Sequence, residues 1–158
     1  MIKNIFFAAL IVSGLVIYRT QFYRSPAYKA YVRFSEAVRA GKCNDMKALS
    51  EGQASAFVDG LCTPPPSMTV FGKTISMPSA ASMINDMAST PSGAMMRIIR
   101  KVESESEKNG EVELKVIEKP FLRNTPPSQL APPSLCQVKL KKTGGAWRVI
   151  EYSDTPVK

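Results

Sequence analysis

The sequence predicts an α+β protein: an N-terminal transmembrane helix, then helices packed on an antiparallel sheet. Three observations carry this. Ile5 to Tyr18 is an uncharged apolar run between Lys3 and Arg19. After Ser25-Pro26 the apolar residues Ala27, Tyr31, Phe34 and Val38 recur at helical spacing. Beyond residue 94 the period changes to two, in four segments separated by Asn109-Gly110, a Pro-rich stretch and Gly144-Gly145. Helices followed by a meander are the order expected of an α+β domain.

The chain has 158 residues, a net charge of +8, three Cys, twelve Pro and no His. Residues 25–158 have the size of one domain with one core. Hydrophobic residues at 44% and charged ones at 22% describe a globular chain and not a disordered one. Without His, Ser-His-Asp and Cys-His catalysis, imidazole bases and most catalytic zinc sites are excluded. No catalytic residue, cofactor or metal site is expected.

Residues 1–24 read as a signal-anchor with a juxtamembrane segment. Ile5–Tyr18 alone would span roughly 21 Å as a helix; counted from Met1, with Lys3 snorkelling, the span is about 27 Å, close to a thin hydrocarbon core. Residues 2–18 are thus the membrane contact, with Tyr18, Phe22 and Tyr23 as an aromatic belt. A cleaved signal peptide is the alternative, but Val16-Ile17-Tyr18 offers no small residues for a signal peptidase. Orientation is contested. Lys3 before the span against Arg19, Arg24, Lys29 and Arg33 after it favours a cytoplasmic domain. A tiny N-terminal tail before a short apolar run is the usual form of a bacterial signal-anchor with an exported domain. The expectation adopted is a single-pass inner-membrane protein with its domain in the periplasm.

Along the domain, Pro26 opens a helix that Gly41 ends. Asn44 or Asp45 caps a short second helix through Ser50, and Gln53 to Gly60 adds another turn or two. Pro64-Pro65-Pro66 stops all helix. Met68–Phe71 and Thr74–Met77 read as two short strands around Gly72-Lys73. A helix starts at Pro78-Ser79, with Ala80, Met83, Ile84 and Met87 as its buried face, and closes at Thr90-Pro91. Met96, Ile98, Arg100 and Val102 then alternate with Arg97, Ile99 and Lys101. In the next strand Val112, Leu114 and Val116 alternate with Glu111, Glu113 and Lys115, and after it Cys136, Val138 and Leu140 alternate with Gln137, Lys139 and Lys141. Ala146 to Tyr152 is the last strand.

This order, and the closing strand Gly144-Gly-Ala-Trp-Arg-Val-Ile-Glu-Tyr152, resembles the nuclear transport factor 2-like superfamily over residues 26–154. The resemblance implies a curved sheet wrapped around helices as a cone. It implies no single chemistry, since such folds include isomerases, dehydratases and assembly modules. If the cone holds an apolar pocket, Tyr31, Phe34, Met83, Met87 and Trp147 are the residues expected near it.

Other chemistry is weakly signalled. Asp45, Asp59 and Asp86 fall in helices, Asp154 near the end of the chain, and no Asp inside the four long strands. Glu103, Glu105, Glu111, Glu113 and Glu118 alternate with basic residues and read as a solvated sheet face with cross-strand pairs. Phe71-Gly72-Lys73-Thr74 imitates the tail of a phosphate-binding loop, but Ser67 stands where that pattern needs Gly. The Cys43, Cys62 and Cys136 spacings suit no metal. In an oxidising compartment Cys43 and Cys62 could form a disulfide, with Cys136 a buried thiol; three small buried residues are the alternative. Met77, Met83, Met87, Met95 and Met96 read as core filler more than as a binding surface. The basic excess is spread out, which fits anionic headgroups better than nucleic acid. The function expected is a membrane-anchored, non-enzymatic periplasmic interaction or assembly domain, an accessory subunit of an envelope or secretion complex. A strand edge or the Pro120–Pro133 loop would make the contact. Binding of an apolar molecule or lipid in the cone, and a carboxylate-dependent enzyme there, are the alternatives.

Overall fold

In the computed structural model, which describes residues 24–71, 73–122, 125–126 and 130–157, helix α1 spans Pro26–Arg39. The Ser25 hydroxyl accepts a hydrogen bond from the Tyr28 N–H at 3.0 Å, and Pro26, with no N–H of its own, fills the first turn. The apolar run Ile5–Tyr18, and with it the expected anchor, lies outside the described residues. Among the described residues no helix is long and apolar enough to cross a membrane.

Gly41 leaves α1 in the left-handed conformation, φ +62°. Helix α2, Cys43–Leu49, follows at once, starting ahead of the caps expected at Asn44 or Asp45. Helix α3 spans Gly52–Cys62, longer at both ends than the Gln53–Gly60 segment foreseen. Between them Ser50 bridges to Val149, and the Glu51 N–H donates to the Val149 carbonyl at 2.8 Å. A disulfide joins Cys43 to Cys62, start of α2 to end of α3, with Cα atoms 5.9 Å apart.

Strands β1 (Met68–Val70) and β2 (Lys73–Ile75) form a separate antiparallel hairpin, Met68 opposite Ile75. Helix α4 (Ala80–Ala88) is capped by Ser79. The chain does not stop at Thr90-Pro91: Thr90 accepts from the Gly93 N–H, and Pro91 opens a further short helix, α5 (Pro91–Met95). The Ser/Thr-Pro pair that starts α1 thus acts here as well.

The main sheet has the order β3 (Arg97–Lys108), β4 (Glu111–Phe121), β5 (Ser134–Thr143), β6 (Ala146–Pro156), all antiparallel. Asn109 and Gly110, both at positive φ, make the two-residue turn between β3 and β4, and Gly144-Gly145 do the same between β5 and β6. A bulge interrupts the β3–β4 register between Val102 and Ser104. Strand β6 continues past Tyr152, so Asp154 lies inside it, opposite Cys136; the expectation that no Asp falls in a long strand is corrected.

One face of the sheet carries the core. Val112, Leu114, Val116, Cys136, Val138, Leu140 and Val149 are buried against Tyr31, Phe34, Met46, Ala54 and Val58 of the helices. Each fully buried Leu, Val or Phe contributes about 1.5–3 kcal/mol relative to exposure. Helix α1 lies against β5 and β6, and α3 against β6.

Helix α4 departs from expectation. Ala81 is its buried residue, while Met83 and Met87, foreseen on the buried face, are 50% and 62% exposed. The cause is how closely α4 approaches the end of α1. A Cβ at Gly41 would run into the Ala81 carbonyl oxygen and crowd Asn85. Only the small face through Ala81 and Asn85 fits there. Met83 and Met87, two positions further on, lie roughly 200° around the helix and face away.

Candidate functional site

The alternation of β4 that buries Val112, Leu114 and Val116 buries Glu118 too. It is 8% exposed, on the dry face of the sheet. This corrects the expectation that Glu118 belongs to the solvated face with Glu103, Glu105, Glu111 and Glu113; past the bulge Glu105, though exposed, also shares the core-side phase, opposite Leu114. A buried carboxylate needs partners, and three residues from two elements supply them. Tyr31 and Ser35, one turn apart on α1, donate their hydroxyls to Glu118 Oε1 at 2.7 and 2.8 Å. Arg100, directly opposite Glu118 in the β3–β4 register, donates from Nε to the same oxygen at 2.7 Å. Its Nη2 donates to Ser35 Oγ at 3.1 Å, so that hydroxyl both gives and receives. Arg100 Nη1 is 3.7 Å from the exposed Glu36.

Burial pushes the Glu118 carboxyl up, but hydrogen bonds from Arg100, Tyr31 and Ser35 outweigh it and hold the pKa below its ordinary value. Burial alone would lower the Arg100 pKa; the Glu118 hydrogen bond and charge raise it instead. Tyr31 is pushed far up by burial and then by the Glu118 charge. Cys136, the free thiol two residues along β5 from Ser134, lies 3.9 Å from both Ser134 Oγ and Tyr152 Oη, and burial raises its pKa. The chemistry of the set follows. Glu118 is an ionised carboxylate with one oxygen already accepting three hydrogen bonds, a poor proton acceptor at neutral pH. Cys136 is held as a thiol, a poor nucleophile. What the cluster does well is fasten α1 to β3 and β4.

The five residues expected near a pocket are not brought together. Tyr31 and Phe34 are fully buried in the core, Trp147 packs partly buried against it, and Met83 and Met87 are exposed. Trp147 pairs with Lys142 at one end of the sheet, while Glu118 pairs with Ser134 towards the other, so no carboxylate of this cluster stands beside Trp147. Three open depressions of about 360, 330 and 360 Å³ lie elsewhere. The first includes Glu113, Lys115, Gln137, Lys139 and Glu151, on strands β4 to β6. The third lies between the end of α3 and the start of α4, lined by Pro65, Met77, Met83 and their neighbours. Among the described residues no group of three or more Cys, Asp or Glu could hold a metal. Phe71 stands at the β1–β2 turn and Lys73-Thr74 open β2, so a strand and not a helix directly follows the loop-like stretch.

No family model matches the chain, and neither does any curated protein. Several solved structures are similar in fold. A Thiobacillus denitrificans protein, provisionally described as a calcium/calmodulin-dependent protein kinase type II association domain, is 16% identical; the match covers 82% of this chain and 93% of that one, with a TM-score of 0.49. A nuclear transport factor 2-like protein of unknown function from Silicibacter pomeroyi is 12% identical, covering 83% and 90%, TM-score 0.45. A Shewanella frigidimarina protein provisionally described as a ketosteroid isomerase is 14% identical, covering 83% and 95%, TM-score 0.47. Other similar structures are described as nuclear transport factor 2-like or as having a cystatin-like fold. The likeness is one of fold and assigns this chain no ligand, partner or reaction.

Proposed function

We propose that the chain is a membrane-tethered, non-enzymatic interaction module whose α+β domain works in the periplasm, as an accessory subunit of an envelope complex. The observation that carries this reading is the filled interior. Tyr31, Phe34, Leu114 and Val149 occupy the space between helices and sheet, and the buried charge there is already satisfied by its own neighbours. A domain closed inside acts through its surface. The wet sheet face, where Glu113 lies opposite Lys139 and Lys139 pairs with Glu151 at 2.8 Å, is the surface offered to a protein partner. The Cys43–Cys62 disulfide supports an oxidising compartment, and the run Ile5–Tyr18 supports the tether. The same filled interior counts against capture of an apolar ligand within the cone.

Thiol counting in the native membrane, by mass-tagging under denaturing conditions with and without prior reductant, tests the location. Two of three thiols masked until reduction is the expected result; three free thiols would move the domain to the cytoplasmic side. A photo-crosslinking residue in place of Gln137 tests the wet face, where a discrete protein adduct is expected. If adducts form only from positions off that face, the partner surface is elsewhere.

A further inference from the structure

Thr63 to Met96 is the least charged stretch of the domain. Its 34 residues contain two charged side chains, Lys73 and Asp86, and six of the chain's eight methionines. A stretch of that composition ordinarily fills a core, yet here it is on the outside. Met68, Phe71, Ile75, Met77, Met83, Met87, Met95 and Met96 are all exposed, and Phe71, at the hairpin turn with φ +50°, is exposed completely. The β1–β2 hairpin pairs with itself and is joined to the rest chiefly through the chain. Where the stretch meets the sheet, Arg97 stands opposite the exposed Phe121, and Ile99, also exposed, opposite Lys119. The border of this apolar zone is therefore cationic: Lys42 beside the α4 contact, Lys73 next to the turn, and Arg97 and Lys119 at the sheet end, with Asp86 the single acid in the stretch itself.

We infer that this zone is a second membrane contact, in which the hairpin with Phe71 at its turn dips into the interface of a bilayer whose anionic headgroups meet the surrounding Lys and Arg. The inference rests on the tethered reading above and gives it a geometry. Six residues, Arg19 to Arg24, separate the apolar run from Ser25, a reach of at most about 20 Å. The domain is thereby confined to the bilayer surface, where a weak interfacial contact is made at high effective concentration. Exposed Phe and Met with almost no charge to desolvate, rimmed by cations, match that interface in both hydrophobicity and sign. A water-facing role explains neither the apolar side chains nor the missing charges.

The test uses the full chain in vesicles of phosphatidylethanolamine and phosphatidylglycerol, with and without lipids brominated on the acyl chain. Trp147→Phe removes the native tryptophan, and Phe71→Trp or Lys142→Trp places one at the hairpin or at the far end of the sheet. Emission from position 71 should be quenched at least about twofold more than emission from position 142. Equal, weak quenching at both positions in protein that resists alkaline carbonate would overturn the hairpin contact and leave the tether intact. Quenching at position 71 in protein that carbonate strips away would uphold the hairpin contact and overturn the tether. Shielding of position 71 from aqueous quencher without bromolipid quenching, growing with protein-to-lipid ratio, would overturn the inference in favour of a second copy as the occupant.

Discussion

Helix α1 and helix α4 are both amphipathic, and they resolve in opposite ways. On α1 the long side chains Tyr31 and Phe34 are the buried ones, set on β5 and β6. On α4 the buried residue is Ala81, and the long side chains Met83 and Met87 are exposed. The difference lies in what each helix meets. Helix α1 faces a sheet, which stands about 10 Å off and has room for aromatic rings between the layers. Helix α4 faces the backbone of another helix's end at Gly41, where it presents Ala81 and Asn85 at close range. An apolar stripe shows that a helix is amphipathic; the partner decides which stripe is covered.

The comparison breaks most visibly at Glu118. Removing this carboxylate leaves the largely buried Arg100 side chain with only the exposed Glu36 as an acidic neighbour, and Glu118→Ala is expected to cost about 3–5 kcal/mol in urea unfolding. A cost under about 1 kcal/mol would mean that α1 is not fastened to the sheet through this cluster. The same group fixes the acid limit. Its folded pKa is depressed, so its contribution is fully present above the ordinary carboxylate value of about 4.3 and is lost as pH falls through the folded value. Glu118→Gln should flatten the fall in stability below that pH, read as midpoint against pH. Next in size, Cys43→Ser with Cys62→Ser opens a loop of sequence separation 19 and should cost about 3 kcal/mol, measured without reductant. Gly41→Ala then probes the junction of the two helices. A Cβ there meets the Ala81 carbonyl in a left-handed backbone, and roughly 2 kcal/mol should be lost, with hydrogen exchange in α4 rising more than in α1. The smallest effect belongs to the exposed stripe: Met83→Ser with Met87→Ser should change stability by no more than about 0.5 kcal/mol. A larger loss would show these side chains covered in solution.

Much of this was legible in the sequence. The meander, its two tight turns and the helix ahead of it follow from period, Asn109-Gly110, Gly144-Gly145 and Ser25-Pro26. The Glu118 cluster was legible in part and was missed. Residues 112, 114, 116 and 118 share one phase of β4, and residues 98, 100 and 102 one phase of β3. Strict alternation therefore places both Arg100 and Glu118 on the dry face; grouping glutamates by charge hid it. Tyr31 was on the expected stripe of α1, and Ser35 is its neighbour one turn on. The exposure of Met83 and Met87 had no local signal. It depends on the approach of Gly41 to Ala81, forty residues away, and no periodicity reports that distance. Helix α5 does have a signal, the Thr90-Pro91 pair: the same pair type that closes α4 opens a new helix, as Ser25-Pro26 opens α1.

The bulge between Val102 and Ser104 has one more consequence, for how the protein keeps its own company. β3 is an outer strand of the sheet. By skipping one residue, the bulge shifts the phase so that Glu105 lies opposite Leu114 and Glu107 opposite Val112, carboxylates on the side of the sheet where the core lies. Another strand docking along this rim would have to draw two negative charges out of water to do so. The irregularity thus acts as a guard against aggregation, repelling stray strands from the β3 rim of the sheet.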